Sequence, residues 1–139
     1  MGKGKITGIG GIFFKCNNPE ALRKWYSDVL GLEVNDYGVL FEIRPFAGTP
    51  KYLQLGTFEN NTDYFEPAAK AFMLNFRVDD LQAFLGKLKA HGVNSLGEIE
   101  SYPYGQFAHI MDPEGNKIEL WEPVDSCFEE DGEPVTPFA

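Results

Sequence analysis

Two histidines occur in the 139 residues, and one of them, His109, sits where an imidazole could do chemistry. It lies three residues before Asp112, in a strand-like run that sets Phe107, His109 and Met111 on one side. Imidazole titrates near neutral pH and can take or give a proton. Glu119 follows beyond the turn-forming stretch Asp112-Pro113-Glu114-Gly115-Asn116. The two side chains could act as base and acid without a metal ion. Each also has a structural alternative. His109 could be a strand histidine bonded to a neighbour, and Glu119 could pair with Lys117 or Arg77. His91 precedes Gly92 at a helix end, where it favours the helix dipole and reads as structural. Cys16 and Cys127 are too few for a disulfide framework and show no paired spacing, which fits a reduced, cytoplasmic protein.

These residues need strands and turns to hold them. Ile6 to Cys16 reads as a strand rich in β-branched and aromatic residues. Asn18 is a natural cap and Pro19 suits a first helical position. Leu22, Trp25, Tyr26, Val29 and Leu30 then share one helical side, and Gly31 stops the helix. Leu32 to Asn35, Val39 to Arg44 and Tyr52 to Gly56 read as strands, joined by Tyr37-Gly38 and by a turn from Phe46 to Pro50. Thr57 to Ala69 is a connector. The pattern then restarts. Ala71 to Val78 is a strand, Asp79-Asp80 caps a helix with the stripe Leu81, Phe84, Leu85 and Leu88, and Gly92 ends it. Weak strands near Val93 to Ile99 and Gln106 to Met111 precede a last strand, Lys117 to Glu122. Val124 to Ala139 has no periodicity, holds two prolines and an acidic cluster, and is expected to be an extended tail.

The restart is an internal repeat. Phe14-Lys15-Cys16-Asn17-Asn18 aligns with Phe76-Arg77-Val78-Asp79-Asp80, 62 residues later. Each half reads strand, helix, three strands. The expected fold is α+β: two tandem βαβββ modules, residues 5–57 and 70–123, forming one curved mixed sheet around a central cavity. Residues 1–123 would form a single domain and 124–139 an acidic tail.

Three segments resemble the vicinal-oxygen-chelate superfamily, which includes glyoxalases, bleomycin-resistance proteins and extradiol dioxygenases. They are GIGGIFFKCNNPEALRKWYSDVLGLEV, FMLNFRVDDLQAFLGKLKAHGV and the terminal hairpin MDPEGNKIELWEP, the most specific of the three. Together they cover nearly the whole chain through Pro123. The resemblance implies a glyoxalase-like fold and a metal-centred chemistry, in which a divalent ion (Mn, Fe, Ni or Zn) binds vicinal oxygens of a substrate. Of the ligand positions it implies, the first falls at Gly11, another near Gln54 and a third at Met73; only the terminal carboxylate is kept, as Glu119. Glycine offers no ligand, and an amide and a thioether are weak ones for such ions. The metal site therefore looks degenerate, with Glu119 as a remnant and His109 and Gln54 as possible additions.

Strand alternation extends the resemblance. With Gly11 and Glu119 toward the cavity, Phe13, Lys117 and Trp121 face it too; Met73 brings Asn75 and Arg77, and Gln54 brings Tyr52. Ile12, Phe14, Cys16, Leu74, Phe76, Val78, Ile118 and Leu120 should pack under the helices. The expected ligand wall is Phe13, Gln54, Met73, Asn75, Phe107, His109 and Trp121, suited to a small, partly aromatic molecule. Gly10 and Gly11 would leave room for it.

The formal net charge of −9 disfavours nucleic acid or an anionic membrane as partner. No run is long and apolar enough for a membrane span. The leading expectation is a bleomycin-resistance-like protein that binds a small molecule with no cofactor, and pairs as a homodimer. A metal-dependent lyase or dioxygenase, and a metal-free isomerase or lyase using His109 and Glu119, are the alternatives.

Overall fold

The computed structural model describes residues 2–45 and 48–138. The first strand, β1 (Ile6–Cys16), runs through the middle of one nine-stranded sheet. The first module continues with α1 (Pro19–Asp28), β2 (Val34–Asn35), β3 (Gly38–Ile43) and β4 (Lys51–Glu59). The second supplies β5 (Phe72–Val78), α2 (Leu81–Ala90), β6 (Glu100–Tyr102), β7 (Gly105–Met111) and β8 (Lys117–Pro123). The spatial order is β2-β3-β4-β1-β5-β8-β7-β6. The order within each module is the same, and β1 and β5 join the modules as an antiparallel central pair. In each module the first strand pairs in parallel with the last. The α+β class and the curved mixed sheet of two tandem βαβββ units are as the sequence implied.

Local chemistry explains the best-placed elements. Asn18 and Asp80 accept from the amides of Ala21 and Ala83, so both helices start where a short oxygen-bearing side chain caps them. Asp112 closes the β7–β8 hairpin: its carboxylate accepts from the backbone of Glu114 and Asn116 and from the Asn116 amide. Gly115 supplies the positive φ of 83° that the turn requires. The Asp79 carboxylate gathers the amides of Lys3, Gly4 and Lys5, and these bonds hold its pKa below the ordinary value.

The two outer faces differ. Under α2, Val78, Leu81, Ala108, Ile110 and Leu120 form a buried cluster with Phe84, Leu85 and Leu88 packed on it. No residue of α1 is fully buried. Trp25 on α1 and Val29 at its C-terminal cap remain exposed, at 48% and 60%. Ile12, expected beneath a helix, is 39% exposed.

Two further expectations are corrected. No strand forms at 93–99; the short edge strand comes later, as β6. Tyr102 and Tyr104 pack there against Phe107, which fixes it. The expected tail from 124 is not extended over its described residues, 124–138. They form α3 (Ser126–Glu130) and β9 (Thr136–Pro137), which pairs in parallel with β3. Phe128 packs on Tyr52 and Trp121, Asp125 pairs with Arg77, and Glu129 with Arg44 at 3.1 Å. The turn expected from Phe46 to Pro50 lies partly outside the described residues. Among the described residues no helix is long and apolar enough to cross a membrane.

Candidate functional site

Strand register builds the site. Gln54 on β4 stands opposite Gly11 on β1, Gly11 opposite Asn75 on β5, Asn75 opposite Glu119 on β8, and Glu119 opposite His109 on β7. These five positions form one row across the sheet, on the face turned away from α2. Glu119 is 2% exposed, and three donors satisfy it. Asn75 Nδ2 donates to Oε1 at 2.7 Å, His109 Nε2 lies 2.7 Å from Oε2, and the Tyr64 hydroxyl donates to the same Oε2. Neither Lys117 nor Arg77 pairs with it, contrary to the structural alternative considered from sequence. Lys117 donates to the Tyr64 carbonyl at 2.6 Å and lies over the Tyr64 ring. Arg77 donates to the Tyr52 carbonyl, pairs with Asp125 and covers Trp121.

Burial and the Glu119 charge push the Tyr64 phenol far above its ordinary range, so it stays protonated and donating. Burial lowers the Lys117 ammonium. Tyr64 comes from the aperiodic connector, where sequence reasoning had no pattern to follow. Its signal was an aromatic pair, Tyr64-Phe65, inside a polar stretch; Phe65 anchors the connector by packing on Phe13 and Met73.

Over the row lies a cavity of about 480 Å³, within the range of small-molecule sites. Nine aromatic residues line it, which gives its wall a mainly π character. Of the residues expected there, Phe13, Gln54, Asn75, Phe107, Glu119 and Trp121 line it. His109 stands one step behind, reaching the wall through Glu119. Met73 is wholly buried with Phe13 and Phe65 instead, and Asn75 holds the place opposite Gly11. Tyr102, Tyr104, Phe128 and the carboxylates of Asp131 and Glu133 were not foreseen. The last three belong to the folded C-terminal segment. A second hollow of about 500 Å³ lies by the start of α1, between Arg23 and Glu59, and contains none of the expected site residues.

The two glycines have different roles. A Cβ at position 11 would meet the Phe13 ring at 2.8 Å, so that ring already fills the space expected there for a ligand. A Cβ at position 10 would strike Asn75 Oδ1 and sit 2.8 Å from Trp121. Only glycine at position 10 lets the backbone pack against that buried oxygen.

The donor set does not fit a divalent ion. Among the described residues no three His, Cys, Asp or Glu side chains converge. The row offers two amides, one carboxylate and the His109 imidazole; both carboxylate oxygens already accept protein hydrogen bonds, and His109 Nε2 is taken up by one of them. Gln54 turns its amide nitrogen to the carbonyls of Val39 and Leu55.

Sequence and fold comparisons agree with this architecture. The model of the Glyoxalase/Bleomycin resistance protein/Dioxygenase superfamily matches residues 8–120, and the chain belongs to that superfamily. Its fold is similar to that of methylmalonyl-CoA epimerase from Mycobacterium tuberculosis (20% identity, 91% of this chain and 94% of that one, TM-score 0.58). A methylmalonyl-CoA epimerase in complex with methylmalonyl-CoA and NH4+ shares 19% identity over 86% of this chain and 96% of that one, with a TM-score of 0.62. A variant of the Streptomyces coelicolor methylmalonyl-CoA epimerase in complex with 2-nitronate-propionyl-CoA gives 19%, 86%, 99% and 0.62 for the same quantities. No curated protein matches the chain.

Proposed function

We propose that this protein holds a small, partly aromatic molecule in its sheet cavity, without a metal ion. The observation that carries the reading is the state of Glu119. The one carboxylate of the row takes three protein hydrogen bonds, so a metal or a substrate proton would have to displace them. This favours holding a ligand over chelation or proton transfer. The aromatic wall supplies apolar contact area at low entropic cost. Two free thiols, Cys16 and Cys127, fit a reducing, cytoplasmic setting. The partner in solution is a second copy of the chain, a reading supported by the exposed apolar side chains Ile12, Trp25, Val29 and Leu30.

Elemental analysis of untagged protein, after titration with Mn, Fe, Ni and Zn, tests the metal-free reading. The expected result is no stoichiometric metal. Near-stoichiometric metal that disappears in Glu119→Ala overturns it. Sedimentation equilibrium tests the dimer. Val29→Lys should weaken association, and a monomeric wild-type chain at high concentration would overturn that part.

A further inference from the structure

The last segment of the chain forms one wall of the cavity, through Cys127, Phe128, Asp131 and Glu133. The superfamily match ends at residue 120, and both modules are complete at Pro123, before this wall begins. A five-residue helix and a two-residue strand hold little structure of their own. The segment therefore stays in place through what it touches.

Those attachments are few. Phe128 lies against Tyr52, Trp121 and Tyr104, with ring centroids 4.9, 6.0 and 6.5 Å apart. Farther on, the Phe138 N–H donates to the Glu42 carbonyl, and Thr136 Oγ1 accepts from the Glu33 N–H, both at 2.9 Å. Residues 124–138 carry the carboxylates of Asp125, Glu129, Glu130, Asp131 and Glu133, and no base. Among the described residues, the ion pairs that tie them to the body are Arg77–Asp125 and Arg44–Glu129. The second is exposed and screened by water, so the first is the main electrostatic tie.

That tie is half made. A guanidinium and a carboxylate can share two parallel bonds. Here Arg77 Nη2 meets Asp125 Oδ2, while Arg77 Nε and Asp125 Oδ1 are buried without a partner among the described residues. Unpaired buried atoms cost stability, so the closed pair holds less firmly than its groups allow. Arg77 also has the Tyr52 carbonyl and the Trp121 ring, and it keeps both when Asp125 leaves. Release thus strands no buried cation. Val124 marks the hinge, because its N–H donates to the Tyr104 carbonyl at 3.0 Å and stays with the body. Movement beyond it carries Cys127 and Phe128 off the cavity wall.

We infer that residues 125–138 are a strap that opens as a unit beyond Val124, latched by Arg77 and Asp125, and that a ligand enters the cavity through this opening. The inference rests on the cavity-binding reading for what enters.

Cys127 reports the opening, because it is 8% exposed and sits on the strap. Dithiodipyridine is added to the full chain carrying Cys16→Ser, which leaves Cys127 as the single thiol. Hydrogen exchange at the β1 and β8 amides gives the rate of global unfolding in the same samples. Cys127 should react well before those amides exchange. Asp125→Asn should speed the reaction roughly tenfold with the core amides still protected. Glu129→Gln, at the exposed pair, is a milder second variant and should speed it about twofold. Reaction of Cys127 no faster than core exchange, or equal rates in all three chains, overturns the strap. Entry of N-phenylnaphthylamine, a neutral aromatic dye, is followed by stopped-flow fluorescence. Its rate should level off at high dye and rise in Asp125→Asn. Dye entry that the variant leaves unchanged overturns the gate while the cavity reading stands. A dye that never binds overturns the cavity reading, and the thiol rates still decide whether the strap opens.

Discussion

The two βαβββ modules share one backbone plan and use it differently. The second buries a continuous apolar cluster beneath α2 and gives the row Asn75, His109 and Glu119. The first leaves α1 without a fully buried residue and contributes Gly11 and Gln54 to the same row. The strand order is the same in both, while the cluster beneath the helix and the hydrogen-bonded carboxylate belong to the second, and the first leaves more apolar helix surface exposed. A repeat in backbone is therefore no guide to a repeat in site residues.

The largest test of this asymmetry is in the core. Leu81→Ala should cost roughly 2–5 kcal/mol in denaturant unfolding, because Leu81 is wholly enclosed by the α2 cluster. Val29→Ala, at the C-terminal cap of α1, should stay within about 0.5 kcal/mol. Equal losses would break the comparison. Next comes the row. Glu119→Ala strands three buried donors and should cost roughly 2–4 kcal/mol, against about 1 kcal/mol or less for Gln54→Ala.

A smaller effect concerns alkali. Burial, then the bond to Glu42, pushes the Tyr52 phenol from 10.0 up to about 12. Its folded pKa is raised, so its contribution is complete below pH 10 and is lost as pH rises through 12. Denaturant midpoints should fall across that window, and less steeply in Tyr52→Phe. Tyr64 in wild type should ionise later still in an absorbance titration. Ile12→Ser should also have a small folding effect, within about 1 kcal/mol, with its main consequence on association.

Much of the fold was legible because short-range chemistry sets it. The caps at Asn18 and Asp80, the Asp112 turn and the alternation of β1 and β8 are local signals, and they located the strands that carry Asn75, His109 and Glu119. What was missed depends on distant contacts. Tyr64 reaches Glu119 because Phe65 is seated on Phe13 and Met73, and nothing near Tyr64 in sequence encodes that. The family resemblance put ligand positions at Gly11 and Met73, but antiparallel register places Asn75 opposite Gly11. The C-terminal segment lacks periodicity because its helix has five residues and its strand two; Phe128, Asp125 and the pairing with β3 hold it in place.

The central position of β1 has a consequence for biosynthesis. It is the first strand to leave the ribosome, yet its second neighbour, β5, ends only at Val78, whereas β4 ends at Glu59. At ordinary translation rates, the nascent chain holds an open strand edge beside Ile9, Ile12 and Phe14 for roughly 1–4 s. During that interval the half-made sheet is a natural client for a chaperone, and slowing translation between residues 59 and 78 should raise its tendency to aggregate.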